Sequence, residues 1–171
     1  MGDKLRELIL WRHAKSDWSD DALADHERPL SERGRRNAKK MAAWIEEQNL
    51  QPDLILCSSA KRTQQTLKRL CKECDTRIEI IEELYMADVP VLLKHLAQAA
   101  PDAHRVMVLA HNPGLEDLVE YLQGETVTRS PDVKLFPTAA LAQFIMPADW
   151  SQLEKGDGKL VAITRPKDLP A

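Results

Sequence analysis

Short apolar runs alternate along this chain with longer stretches of helical spacing, and that alternation limits the fold more than any other feature of the sequence. Leu5–Trp11 reads as a strand that stops at Arg12-His13. Ser31 is placed to cap a helix running to about Gln48, with Ala38, Met41, Ala42 and Ile45 at helical spacing. Pro52 introduces a second strand, Asp53–Cys57, and Ser58-Ser59 precede a helix containing Arg62, Thr66, Leu67 and Leu70. Arg77–Leu84 reads as a third strand, and Asp88 and Pro90 open a helix over Val91–Ala99. Arg105–Ala110 is almost wholly apolar, which suits a central strand covered on both faces. His111-Asn112-Pro113-Gly114 then turns into a helix through Leu122, and Gly124–Pro137 reads as a loop. Ala139–Met146 and Lys159–Thr164 are two more strands, expected to form a hairpin through Gly156-Asp157-Gly158, before an irregular tail from Arg165. Strands alternating with helices predict a three-layer α/β/α fold with a mostly parallel central sheet of about six strands.

The 171 residues suit one domain spanning 1–171, and 43% hydrophobic with 30% charged content is globular. No apolar run approaches the ~20 residues of a membrane span, and the opening Met-Gly-Asp-Lys-Leu-Arg-Glu lacks the apolar core of a secretory signal. A net charge of −3 speaks against wholesale nucleic-acid binding. Cys57, Cys71 and Cys74 are a sparse, odd set, which predicts a reducing compartment. Cys71 and Cys74 lack the second pair of a zinc site and read as two ordinary thiols, while Cys57 reads as a small core residue. A soluble, cytoplasmic protein without membrane or nucleic-acid partners is expected. Gly-x-x-x-x-Gly-Lys, Gly-x-Gly-x-x-Gly and Gly-x-Ser-x-Gly are all absent, so no nucleotide cofactor, metal or serine nucleophile is called for.

In open α/β sheets ligands bind beyond the carboxyl ends of the strands. There the chain supplies Arg12 and His13 after strand one, Ser58, Ser59, Lys61 and Arg62 after strand two, Glu83 near Tyr85 after strand three, and His111 and Asn112 after strand four. Two histidines and two arginines therefore converge on one rim. Arginine offers a planar fork that matches phosphate oxygens, and a neutral imidazole is a nucleophile near pH 7. Neighbouring positive charge keeps such an imidazole unprotonated, and a second histidine can stabilise charge on the transferring group. The plainer reading of either histidine alone is a strand-end residue satisfied by backbone. The acidic loop from Asp17 to Glu27, which carries Trp18, reads as a solvated lid, and Arg33, Arg35, Arg36, Lys39 and Lys40 as the wet face of the first helix.

The segment Leu10-Trp11-Arg12-His13-Ala14-Lys15-Ser16 resembles the Arg-His-Gly signature of the histidine phosphatase superfamily, also called phosphoglycerate mutase-like. More narrowly, the chain is similar to the short SixA-type phosphohistidine phosphatases. The likeness extends to Arg28-Pro29-Leu30-Ser31-Glu32-Arg33-Gly34, to the block Ser58–Thr66, and to His111-Asn112-Pro113-Gly114. It implies that His13 is the nucleophile, that Arg12 and Arg62 hold the phosphoryl oxygens, that His111 completes the pocket and that Arg28 adds a further phosphate contact. A surface ion pair with Asp25 or Glu27 is the plainer reading of Arg28. Ser16 and Asn112, polar residues within these blocks, are further phosphate-side candidates. Ala14 replaces the usual glycine of the signature, which a non-positive φ would allow.

Other branches protonate the leaving alkoxide with a carboxylate. Here Asn112 stands where one branch has Asp, which leaves Glu83 as the candidate acid. Imidazole leaves far more readily than an alkoxide, so a weak or absent acid favours phosphohistidine over phosphoester substrates. The resemblance thus implies a metal-independent phosphatase without cofactor, acting on a phosphorylated protein or a small phosphorylated molecule. The alternatives are a broad small-molecule phosphomonoesterase and a non-catalytic module that binds phospho-ligands.

Overall fold

The computed structural model describes residues 5–125 and 134–170. Its central sheet has six strands, β1 (Arg6–Arg12), β2 (Leu54–Ser58), β3 (Arg77–Ile81), β4 (Arg105–Ala110), β5 (Leu141–Met146) and β6 (Lys159–Thr164). Their spatial order is β3-β2-β4-β1-β5-β6. The β3-β2-β4-β1 part is parallel, and β5 and β6 add antiparallel partners at the other edge. Four helices cover the sheet: α1 (Glu32–Glu47), α2 (Lys61–Leu70), α3 (Val89–Ala97) and α4 (Gly114–Gln123). This is the expected α/β/α architecture.

Alternation along each strand divides the core into two layers, because successive side chains point to opposite faces. Ile9, Trp11, Ile55, Cys57, Met107 and Leu109 pack with Met41 and Ile45 of α1 and with Leu67 and Leu70 of α2. Leu8, Leu10, Leu54, Leu56, Val106 and Val108 pack with Leu92 and Leu96 of α3 and with Leu115 and Leu118 of α4. Trp11 is fully buried, and its indole Nε1 donates to the Ala139 carbonyl at 3.0 Å.

Ser31 and Asp88 cap their helices, although α3 begins at Val89 and ends at Ala97 rather than covering 91–99. The Ser31 hydroxyl accepts the Gly34 N–H at 3.0 Å, and the Asp88 carboxylate accepts the Val91 N–H at 3.2 Å. Gly34 also explains the last position of its block, since a Cβ there would lie 2.0 Å from the Lys15 carbonyl oxygen. Only a glycine lets the first turn of α1 press against the loop leaving β1.

Several expectations change. The third strand ends at Ile81, and Glu82–Leu84 forms a 3-10 turn. Strands β5 and β6 pair as expected, but through a long excursion rather than a tight turn. Gly156 and Gly158 dock onto the end of α4, their N–H groups donating to the Tyr121 and Leu122 carbonyls. The tail contains a 3-10 turn at Pro166–Asp168. Cys71 and Cys74 are not free thiols: α2 stops at Leu70, the chain turns, and the two are joined in a disulfide with Cα atoms 5.2 Å apart. Cys57 is buried as expected, and burial pushes its thiol up to about 12. Most of the loop expected over 124–137 lies outside the described residues. Among those described, no helix is long and apolar enough to cross a membrane.

Candidate active site

Parallel neighbours end on the same rim, so register decides which strand-end residues meet. Arg12 pairs with Ala110 across β1 and β4, which sets the next residues, His13 and His111, side by side. Their rings are 5.0 Å apart, and both are buried. Ser58 ends β2 on the far side of β4, and its Oγ lies 2.7 Å from His111 Nε2.

Hydrogen bonding assigns the tautomers. His13 Nδ1 lies 2.7 Å from the Ala14 carbonyl, which can only accept, so Nδ1 carries the proton. Nε2 therefore keeps its lone pair and faces Arg62 Nε–H at 3.4 Å. The fully buried Ser58 hydroxyl accepts the Ala60 N–H at 3.3 Å and lies 2.7 Å from His111 Nε2, the one acceptor within reach among the described residues for its own proton, which it therefore gives to that nitrogen. That leaves a buried N–H at His111 Nδ1 with no partner among the described residues, as is also the case for the Nε groups of Arg12 and Arg28. Two buried donors without partners beside His13, on His111 and Arg12, suit an anion with several oxygens.

The electrostatics keep both imidazoles neutral. Burial lowers the His13 pKa well below its usual value, with His111, Arg62 and Arg12 pushing the same way against the Ala14 hydrogen bond. Burial, then Arg62, lowers His111 to about 3. The unfolded chain takes up a proton on each imidazole near pH 6.5 whereas the folded protein does not, so stability falls as the pH drops below that value. The loss is up to about 1.4 kcal/mol per pH unit for each histidine. Denaturant unfolding of wild type and His111→Gln between pH 5 and 6.5 should show the variant's stability falling less steeply, by about one proton. Identical slopes would mean that His111 titrates normally in the fold.

The rim also collects residues that the strand-end reading passed over. Asp25, in a 3-10 turn at Asp25–Glu27, accepts from both ends of the Arg62 guanidinium. Nη1 donates to its carbonyl at 2.6 Å and Nη2 to Oδ2 at 2.9 Å. The Tyr85 hydroxyl donates to the same Oδ2, and these partners hold the Asp25 carboxyl below the usual carboxylate range. The Tyr85 ring lies 4.9 Å from that of His26 and 5.4 Å from that of His111. His26 in turn reaches Ser59 Oγ at 2.9 Å. Tyr85 rather than Glu83 returns to the rim because the 3-10 turn after Ile81 rotates the chain between them. Glu83 instead points to solvent and pairs with Lys94 at 3.1 Å, which lowers its pKa.

Arg28 is buried, donates to the Asp20 carbonyl at 3.1 Å and lies 4.1 Å over the Trp18 ring. The ion pair with Asp25 considered for it is made by Arg62 instead. Ser16 is engaged by the Trp18 indole at 2.9 Å. Asn112 has its amide on the Phe136 carbonyl at 2.8 Å and on Glu116, so it holds the start of α4. Arg12 Nη1 donates to the same Phe136 carbonyl at 3.1 Å.

The model of the histidine phosphatase superfamily (branch 1) matches residues 8–92. The phosphohistidine phosphatase SixA of Escherichia coli K12 is 30% identical over 141 residues, covering 80% of this chain and 83% of that protein. This chain belongs to the histidine phosphatase superfamily. A chloroplastic protein of Arabidopsis thaliana is 35% identical over 133 residues, 71% of this chain, which spans 61% of that protein's length. The solved structure of the candidate phosphohistidine phosphatase SixA from Nakamurella multipartitia superposes with a TM-score of 0.83 at 25% identity, covering 97% of this chain and 99% of that one. With these phosphatase relatives, the chain is a phosphatase. The superfamily's usual glycine after the histidine is here Ala14, which is fully buried, is not among the residues with positive φ, and donates its N–H to Thr66 Oγ1 at 3.1 Å. The methyl group is accommodated without backbone strain.

Proposed function

We propose that this phosphatase hydrolyses phosphohistidine, by way of a phosphorylated His13 and without a metal ion. The observation that carries this reading is the state of its carboxyl groups. Asp25 is kept ionised by Tyr85 and Arg62, and Glu83 is exposed and ionised by Lys94. Neither is prepared to give a proton to a departing alkoxide, whereas the imidazole of phosphohistidine leaves without such help. The relatedness to SixA of Escherichia coli supports the same substrate class.

In this reading the Nε2 lone pair of His13 attacks phosphorus, the substrate P–N bond breaks, the phosphoryl group passes to Nε2, and the substrate imidazole, which carries a proton on its other ring nitrogen, leaves neutral. Arg12, Arg28, Arg62 and the His111 Nδ1–H take up the charge on its equatorial oxygens. Water then attacks the phosphoenzyme, releasing inorganic phosphate and restoring neutral His13. For Arg62 to serve, its two Nη groups turn from Asp25 to the phosphoryl oxygens or are shared between them.

The test compares a phosphohistidine peptide with a phosphoserine peptide of the same sequence, in excess chelator. We expect kcat/KM for the phosphohistidine peptide to be about 10²-fold higher or more, the share that an acid contributes elsewhere. Chelation should leave both rates unchanged. Faster release from phosphoserine would instead make the protein a general phosphomonoesterase with an acid at this rim. Phosphate binding with no turnover of either would make it a binding module.

A further inference from the structure

A cavity of about 480 Å³ lies beside the catalytic rim, between α1 and α2, lined by Leu30, Arg35, Gln65, Lys68, Arg69 and Lys72. It contains four cationic side chains and no carboxylate. Helix α2 carries no acidic residue at all, and among the described residues none of the four cations forms an ion pair. Asp17 feels Arg35 only at longer range. In a chain whose net charge is −3, this is a local concentration of unneutralised positive charge.

The cavity is tied to the catalytic site through both its walls. Gln65 lies one turn beyond Arg62 on α2, and its Oε1 accepts the Leu30 N–H at 2.7 Å. Arg35 Nη1 donates to the Leu30 carbonyl at 2.9 Å, and Leu30 follows Arg28 by two residues. Gln65, Lys68 and Arg69 continue down one side of α2 at i, i+3 and i+4, and Lys72 follows in the turn just past the helix end at Leu70. At 1.5 Å rise per residue, Lys68 and Arg69 lie about 10 Å along the helix from Arg62, the reach of about three residues of extended chain.

We propose that this cavity docks a carboxylate-rich stretch of polypeptide flanking the phosphorylated residue of a protein substrate, with acidic side chains about three residues away. This rests on reading the His13 site as a phosphohistidine phosphatase. The cations come from the first turn of α1, the last turn of α2 and the turn beyond it, and that spread suits several carboxylates on a chain better than a single small anion. Leu30 and the methylene stems of the lysines and arginines give that chain an apolar floor. No aromatic side chain lines the cavity to stack a nucleobase, which argues against a nucleic acid.

The test uses wild type and the double variant Lys68→Glu/Lys72→Glu, both positions being exposed and outside the catalytic cluster. Substrates are phosphohistidine peptides carrying Asp and Glu, or Gln and Asn, three and four residues away, together with phosphoimidazole. We expect wild type to have a KM about tenfold lower for the acidic peptide, the variant to lose that preference at unchanged kcat, and the two proteins to hydrolyse phosphoimidazole equally. Equal KM values for the two peptides in wild type, or a preference retained by the variant, would overturn the proposal. Titration of the unphosphorylated acidic peptide onto each protein decides the point independently of turnover. If no phosphoramidate is hydrolysed, the reading of the His13 site fails, while peptide binding lost in the variant still supports the cavity and no binding to wild type overturns it. Equally tight binding of a single-stranded oligonucleotide would overturn the choice of a polypeptide.

Discussion

Replacing His13 by Ala should lower phosphatase turnover by about 10⁴-fold or more, leaving only background hydrolysis. No other side chain at the rim can take its place. His111 presents a proton rather than a lone pair toward the open side, because its Nε2 is committed to Ser58. Of the site nitrogens, His13 Nε2 is the one that combines an unprotonated lone pair, a fixed tautomer and an adjacent guanidinium. Rapid mixing with a ³²P-labelled phosphoramidate and an alkaline quench should trap labelled wild-type protein and none of the His13→Ala variant. Coincident melting curves would show that the loss is chemical rather than structural. Turnover retained by a folded His13→Ala protein would exclude the covalent mechanism.

Replacing Arg62 by Ala should lower kcat by about 10²- to 10³-fold, the loss typical for one group that stabilises developing charge. Arg62 is buried, donates its Nε–H toward His13 Nε2 and presents both Nη groups at the rim. In the proposed mechanism the charge it meets grows as the phosphoryl group is transferred, so the effect should fall on kcat more than on KM. Lysine should restore only part of the rate, because a single ammonium cannot hold the Asp25 carbonyl and carboxylate while facing His13. The measurement is kcat and KM for wild type, Arg62→Ala and Arg62→Lys on one phosphoramidate. A change confined to KM would make Arg62 a ground-state anchor, with the rate set by Arg12, Arg28 and His111.

The candidate site shows why some of its members could be read from sequence and others not. Arg12, His13 and His111 follow apolar runs directly and Arg62 opens the helix after the second strand, so locating the strand end locates the residue. Glu83 and Tyr85 are two positions apart, and which of them faces the rim depends on a 3-10 turn that no periodicity signals. Asp25 lies in an acidic loop that looks solvated, and its contact with Arg62 spans 37 positions. Ser16 and Asn112 are polar and adjacent to the histidines, but Trp18 and Phe136 claim their hydrogen bonds.

Sequence alone determined the alternation of elements, the caps at Ser31 and Asp88, the two faces of the core and the four blocks that point to the family. These depend on local spacing and on the period of apolar residues, which the chain carries wherever it folds. The tertiary structure decided the rest. The order β2-β4-β1 makes neighbours of residues 58, 111 and 13, the path of the 16–27 loop lays Asp25 on Arg62, and the packing of α1 against α2 turns two wet helical faces into one basic cavity. Each of these is a contact between distant positions, set by which strands pair and how layers close over the core, and local sequence carries no record of that choice.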